Sequence, residues 1–162
     1  TQRTHLILFT KSVKKIEIII AKFLASFTIG VTAILPSLIF VYSIYQLSNP
    51  TGNIDEGELI GSYIGMILLV ALYSAIGLFC SSISKNPMIS FILTVIMILI
   101  LYFFFDFLVY FYNIPIIEYL SIEFHYESIS RGVIDTRDII YFASLIFLFL
   151  YFSTIAIDRE SI

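Results

Sequence analysis

The chain has 162 residues, of which 59% are hydrophobic and 13% are charged, with a net charge of −3 and a mean hydropathy of +0.99. Soluble domains carry roughly 25% charged residues, so this chain lacks the polar surface that a water-soluble domain needs. The small net charge and the lack of a dense basic stripe argue against nucleic-acid binding. Cys80 is the one cysteine, which excludes an internal disulfide, and we expect it to be a small buried hydrophobic residue.

Residues 1–17 are polar and basic apart from an apolar run at residues 6–9. They have no signal-peptide pattern, and because the chain opens without an initiator Met in what reads as a loop, we expect further sequence upstream. A solvated basic flank explains the lysines of this segment. It does not explain an exposed Leu-Ile-Leu-Phe run, for which a docking patch and an interfacial helix are equal alternatives.

Four apolar segments follow, and each is long enough to cross about 30 Å of hydrocarbon as a helix. The predicted spans are residues 18–45, 59–83, 88–112 and 139–157. The sequence therefore predicts an all-α, polytopic membrane bundle.

Single residues within these spans carry further expectations. Pro36 is expected to kink the first span. Gly61 and Gly65 have the spacing that lets two membrane helices approach closely, although chance explains such a pair equally well. For Asp106, an interfacial position facing water or protein is favoured over an ion or proton site.

Residues 113–138 form the longest stretch outside the spans. Ile116, Leu120 and Phe124 repeat every four positions after Pro115, which predicts a short amphipathic helix lying in the membrane interface. Gly132, next to Arg131, is expected to end this helix. Asp135 is predicted to cap the last span, with the carboxylate of Asp138 in its first turn.

The distribution of basic residues predicts the topology, because cytoplasmic flanks are enriched in Lys and Arg. Seven of the nine fall on one side: Arg3, Lys11, Lys14, Lys15, Lys22, Lys85 and Arg159. Only Arg131 and Arg137 fall on the other. Both ends of the chain are therefore predicted to be cytoplasmic.

The residues suggest no chemistry of the chain's own. His5 and His125 fall on opposite sides in this topology, so they cannot share a metal or a proton relay within one subunit. The sequence contains no paired-His zinc helix, no glycine-flanked serine and no P-loop. We expect no catalytic residue, cofactor or metal, and we expect the energy for any transport to come from another subunit.

The N-terminal segment resembles a known family. Its run Thr4-His5-Leu6-Ile7-Leu8-Phe9-Thr10-Lys11-Ser12-Val13, followed by Glu17-Ile18 and Lys22, is similar to the loop between the second and third helices of type 2 ABC exporter membrane subunits. In that family a short coupling helix in this loop contacts the ATPase. Ser12 and Ala21 stand where the family usually has Pro and Gly.

The order of elements is also similar to that family, with a short inner link, an outer re-entrant or interfacial region and then a last helix. Residues 82–86 and 128–138 resemble the branch of gliding-motility-associated permeases in particular.

The resemblance implies the third to sixth helices of a six-helix permease in the bacterial inner membrane. It implies that a second, identical or different, permease and separate ATPase subunits complete an exporter. The coupling residues that it implies are His5, Leu6, Phe9, Thr10, Lys11, Glu17 and Lys22.

Two other classes compete with this interpretation. A non-transporting membrane scaffold could use the same cytoplasmic segment to recruit a partner without nucleotide coupling. A secondary transporter or channel is disfavoured, because the predicted spans lack the chains of buried ionisable residues by which such proteins couple.

Overall fold

The computed structural model describes residues 15–112 and 118–160. This part of the chain forms six helices and contains no strand: α1 Lys15–Ile34, α2 Ser37–Leu47, α3 Glu56–Ile83, α4 Pro87–Tyr112, α5 Ile122–Ser130 and α6 Thr136–Glu160. Four stretches are long and apolar enough to cross a membrane: Ile16–Leu47, Glu56–Ile83, Pro87–Phe111 and Thr136–Ile157. The predicted all-α fold with four such helices is confirmed, and it indicates a membrane-embedded protein.

The first span is interrupted at Pro36, as the sequence predicts. Proline lacks a backbone N–H and its ring collides with the preceding turn of a helix. The break is a tightened turn, in which the N–H of Leu38 donates to the carbonyl of Leu35 and the N–H of Ile39 donates to that of Pro36, both at 3.1 Å. α1 and α2 are therefore two helical pieces of one 32-residue span.

α3 is the central helix, and it contacts α1, α4, α5 and α6. Its N-terminus is capped by Asp55, whose carboxylate accepts from the N–H groups of Gly57 and Glu58 at 3.0 and 3.1 Å. Small and apolar residues along α3 are buried, among them Leu72, Ala75, Ile76 and Cys80. The core forms where they meet Phe142 and Phe149 of α6.

The apolar residues of α1, α2 and α4 mostly face outward. α4 begins after the tight link at Ser84, where the Asn86 side chain accepts from the N–H of Met88 at 3.0 Å. Along α4, Phe91, Phe103 and Phe107 are each more than half exposed. In water such a surface would be unstable, whereas lipid solvates it.

Candidate functional site: the buried junction of α5 and α6

α5 is a short helix that folds back onto the bundle between the last two spans. Ser121 is fully buried and caps it, because its hydroxyl accepts from the N–H of Glu123 at 3.2 Å. Ile122 and Ile129 are also fully buried and join the core around α3. Beyond the helix, Gly132 has a φ of +82°, a left-handed conformation that glycine adopts without strain. Both ends of α5 are thus fixed by local sequence.

Three glycines allow α5 to lie directly on α3. A Cβ atom at Gly61 would collide with the carbonyl oxygen of Ile129 and would lie 2.9 Å from the Cα of Gly132. A Cβ at Gly65 would lie 2.9 Å from the ring of Tyr126. Nearby, the hydroxyl of Ser62 donates to the carbonyl of Ser130 at 3.3 Å. Within the described residues, the two helical glycines therefore lie against α5 and its terminal turn.

A buried His–Asp pair joins α5 to the first turn of α6. Nδ1 of His125 lies 2.6 Å from Oδ1 of Asp138, and the two residues are only 6% and 4% exposed. Nε2 of the same ring lies 2.9 Å from the carbonyl oxygen of Tyr119. Both ring nitrogens thus have an oxygen partner, one on α6 and one in the turn before α5.

Tyr141 completes the junction from α6. Its ring stacks on the imidazole of His125 with centroids 4.0 Å apart and an interplanar angle of 23°. Its hydroxyl donates to the carbonyl of Leu120 at 2.6 Å. The turn that precedes α5 is therefore held to α6 at two successive carbonyls, through His125 and through Tyr141.

The carboxylate of Asp138 has one oxygen without a protein partner. Oδ2 is buried and accepts no hydrogen bond from the part of the chain that the structure describes. A buried carboxylate is unstable unless it is paired, so the pairing of Asp138 depends on the imidazole of His125.

The junction is a polar cluster without a metal centre. Among the side chains that the structure describes, no three from His, Cys, Asp or Glu are placed to hold a metal ion. The chemistry open to the His125–Asp138 pair is to hold a proton between Nδ1 of the ring and Oδ1 of the carboxylate. Comparison of the chain with protein-family models, with curated proteins and with solved structures found no match.

Most of the predicted coupling residues lie outside the described part of the chain. These are His5, Leu6, Phe9, Thr10 and Lys11. Glu17 and Lys22 lie on α1, and both are exposed. The role of all seven in contacting an ATPase stays a prediction.

The residues predicted for the outer interfacial region lie differently from the expected apolar line. Ile116 is outside the described residues, and Leu120 is half exposed in the turn before α5. Phe124 is half-buried, whereas Arg131 is exposed and pairs with Glu127 at 2.7 Å. α5 begins only after the cap at Ser121, so Leu120 precedes this helix and Phe124 lies within it. The interfacial role of Ile116, Leu120 and Phe124 stays a prediction.

The buried face of α5 had a signal in the sequence that the four-residue line obscured. Ile122, His125 and Ile129 stand at positions i, i+3 and i+7, which one face of a helix presents together. Sequence analysis placed Asp138 correctly in the first turn of α6 but did not pair it with His125. Only the folding of α5 against α6 brings these two side chains together.

Proposed function

We propose that the chain is the membrane permease subunit of an ATP-driven type 2 ABC exporter. It would form part of the translocation path and receive the energy of ATP hydrolysis from a separate ATPase subunit. The observation that carries the proposal is the position of α5. A short helix folded back onto the bundle between the last two spans is the element order that the family resemblance implies at this point of the chain.

The N-terminal segment supplies the second support. Residues 4–16 combine an apolar run with basic residues, and the segment leads into α1 at Lys15. A coupling contact there would transmit movement of the ATPase to a long helix. That helix contacts α3 and α6, the two spanning helices whose residues meet in the core. The path from ATPase to bundle would therefore be short.

The proposal also covers location and partners. Both ends of the chain would be cytoplasmic, since seven of the nine basic residues fall on that predicted side. The family resemblance implies that the membrane is a bacterial inner membrane. A second permease, identical or different, would complete the path across the membrane. The similarity of residues 82–86 and 128–138 to one branch suggests a link to gliding motility.

A test of the proposal is association with the ATPase. Burial of Leu6 or Phe9 in a partner groove would contribute about 1.5–3 kcal/mol each, so Phe9→Asp should weaken the complex by tenfold or more. Lys14→Gln is the matched control, because a lysine near anionic lipid contributes only about 1 kcal/mol. The measurement is co-purification of the full-length permease with a subunit that contains a P-loop.

The competing function is a membrane scaffold that recruits a cytoplasmic partner without nucleotide coupling. If Phe9→Asp inserts normally and retains the ATPase at the wild-type level, the coupling role is wrong. The scaffold then becomes the better account.

A further inference from the structure

When Asp138 is ionised, the hydrogen-bond partners of His125 determine how many protons the ring must carry. The carbonyl oxygen of Tyr119 can only accept, so the 2.9 Å contact requires a proton on Nε2. An ionised Asp138 can also only accept, so the 2.6 Å contact requires a proton on Nδ1. A neutral imidazole carries one proton and satisfies only one of these two acceptors.

We propose that the junction of α5 and α6 is a proton-binding site, in which one extra proton on His125 lets the imidazole hold Asp138 and Tyr119 at the same time. The bound form is an imidazolium paired with a carboxylate. Tyr141 favours this form, because its ring face stacks on the cation at 4.0 Å. The inference is independent of the exporter proposal, since it rests only on the geometry of the pair.

Loss of the proton breaks one of the two contacts, and burial decides which one. A buried carboxylate without a donor is far less stable than a released carbonyl in a turn. Asp138 is 4% exposed, whereas Tyr119 is 60% exposed and its carbonyl is an uncharged acceptor in a turn. The neutral ring therefore keeps its proton on Nδ1 for Asp138 and releases the carbonyl of Tyr119.

The consequence is a turn whose attachment to α6 depends on pH. With the proton bound, at lower pH, His125 and Tyr141 both hold the turn at residues 119–120. As pH rises and the proton leaves, only the hydroxyl of Tyr141 still holds it. The proton thus tightens the start of α5 against the last span.

Few other titratable groups face the pair. Tyr141 stacks on His125, and Tyr119 approaches it through its backbone; half-buried tyrosines on the packed helices are Tyr63, Tyr73, Tyr102 and Tyr126. Asp135 accepts from the backbone of Arg137, and the side chain of Asp106 lies outside the described part of α4. The charged side chains around the junction are exposed: Glu56, Glu58, Glu118, Glu123, Glu127, Arg131 and Arg137.

The test is nitrogen NMR of the ring in the full chain, reconstituted in lipid nanodiscs. The chain has two histidines, so His5→Gln leaves His125 as the sole ring signal. We expect two protonated ring nitrogens at low pH and the Nδ1–H form at high pH. An Nδ1 that carries no proton at any pH would overturn the proposal, and this measurement needs no substitution in the junction.

Asp138→Asn supplies the second arm. Its amide can donate to Nδ1 of a neutral ring while Nε2–H donates to Tyr119, so the junction should stay closed without the extra proton. Exchange of the backbone amides of Ser121 and Glu123, compared at equal pH, should then become at least about tenfold slower in the variant than in the parent as pH rises.

Asp135→Asn is the matched control. It also neutralises a carboxylate at the start of α6, but that carboxylate is not part of the pair with His125. It should keep the pH dependence of the parent. If Asp138→Asn folds and its exchange follows the parent at every pH, the proposal is wrong. If it does not fold, the ring spectra of the parent decide.

Discussion

Two carboxylates at the start of α6 have different environments and different tasks. Asp135 stands before the helix, and its side chain accepts from the N–H of Arg137 at 3.0 Å. Asp138, one turn later, is buried against His125. The backbone N–H of Arg137 stabilises the charged form of Asp135 and lowers the pKa of that carboxyl below its ordinary value. A cap and a buried pair are thus three residues apart.

Asp135→Ala should lower the thermal midpoint at neutral pH, because the substitution removes the cap of α6. A carboxyl whose pKa is lowered in the folded state contributes stability above its unfolded pKa, and that contribution is lost as pH falls through the folded pKa. The difference between Asp135→Ala and the parent should therefore shrink in acid. Thermal unfolding in nanodiscs at a series of pH values measures it, and a difference that stays constant into strong acid would contradict the cap.

The sequence predicts that Asp135 caps α6, but it does not predict that Asp138 pairs with His125. The reason is physical. A helix cap depends on residues two or three positions away, so it is visible in the sequence. His125, the partner of Asp138, is 13 residues away in the sequence, and its position depends on how α5 folds against α6. Local patterns do not carry that information.

At the scale of the elements, α5 depends on a surface that α3 provides. Gly61 and Gly65 leave the space that the end of α5 and the ring of Tyr126 occupy. Gly132 reaches the backbone of Gly57 in the same region. These contacts locate α5 against the part of α3 that follows its N-terminus.

Gly61→Ala should displace α5 and destabilise the fold by about 1–3 kcal/mol, because its Cβ would collide with backbone and not with a flexible side chain. Gly77→Ala is the matched control on the same helix. Its Cβ would meet the methyl group of Thr94 at 3.7 Å, an ordinary contact. The control should match the parent or gain up to about 1 kcal/mol.

The readout for this pair is the free energy of unfolding in mixed micelles, together with hydrogen exchange of α5. Equal stability of the two alanine variants, with unchanged exchange in α5, would mean that the close approach at Gly61 does not hold α5 in place.

The spans and the end of α5 near Gly132 were predictable within a few residues, whereas the start of α5 was not. Hydropathy identifies a span by about 20 apolar residues, and the capping residue Asp55 starts α3 at Glu56 rather than at residue 59. Pro36 interrupts the first span for a local reason. The short α5 has too few residues for periodicity to fix its start, so its cap at Ser121 and the glycines of α3 decide its position.

At the scale of the whole molecule, α3 and α6 form the core and the other spans lie around it. Their contact buries Leu72 and Phe142, while α2 and α4 expose large apolar side chains along most of their length. In the proposed permease, lipid and a second subunit would cover these surfaces. The proposed coupling to an ATPase rests on residues 4–16, so the exporter and scaffold proposals differ in what this segment does to its partner.

ATP hydrolysis distinguishes the two most directly. The rate of ATP turnover is measured in lipid nanodiscs for three samples: the co-purified P-loop ATPase by itself, the ATPase with the full-length proposed permease, and the ATPase with the Phe9→Asp variant. We expect the permease to accelerate ATP turnover, Lys14→Gln to retain the acceleration, and Phe9→Asp to return turnover to the rate of the ATPase alone. The account is contradicted if the complex of both subunits turns over ATP at the rate of the ATPase alone.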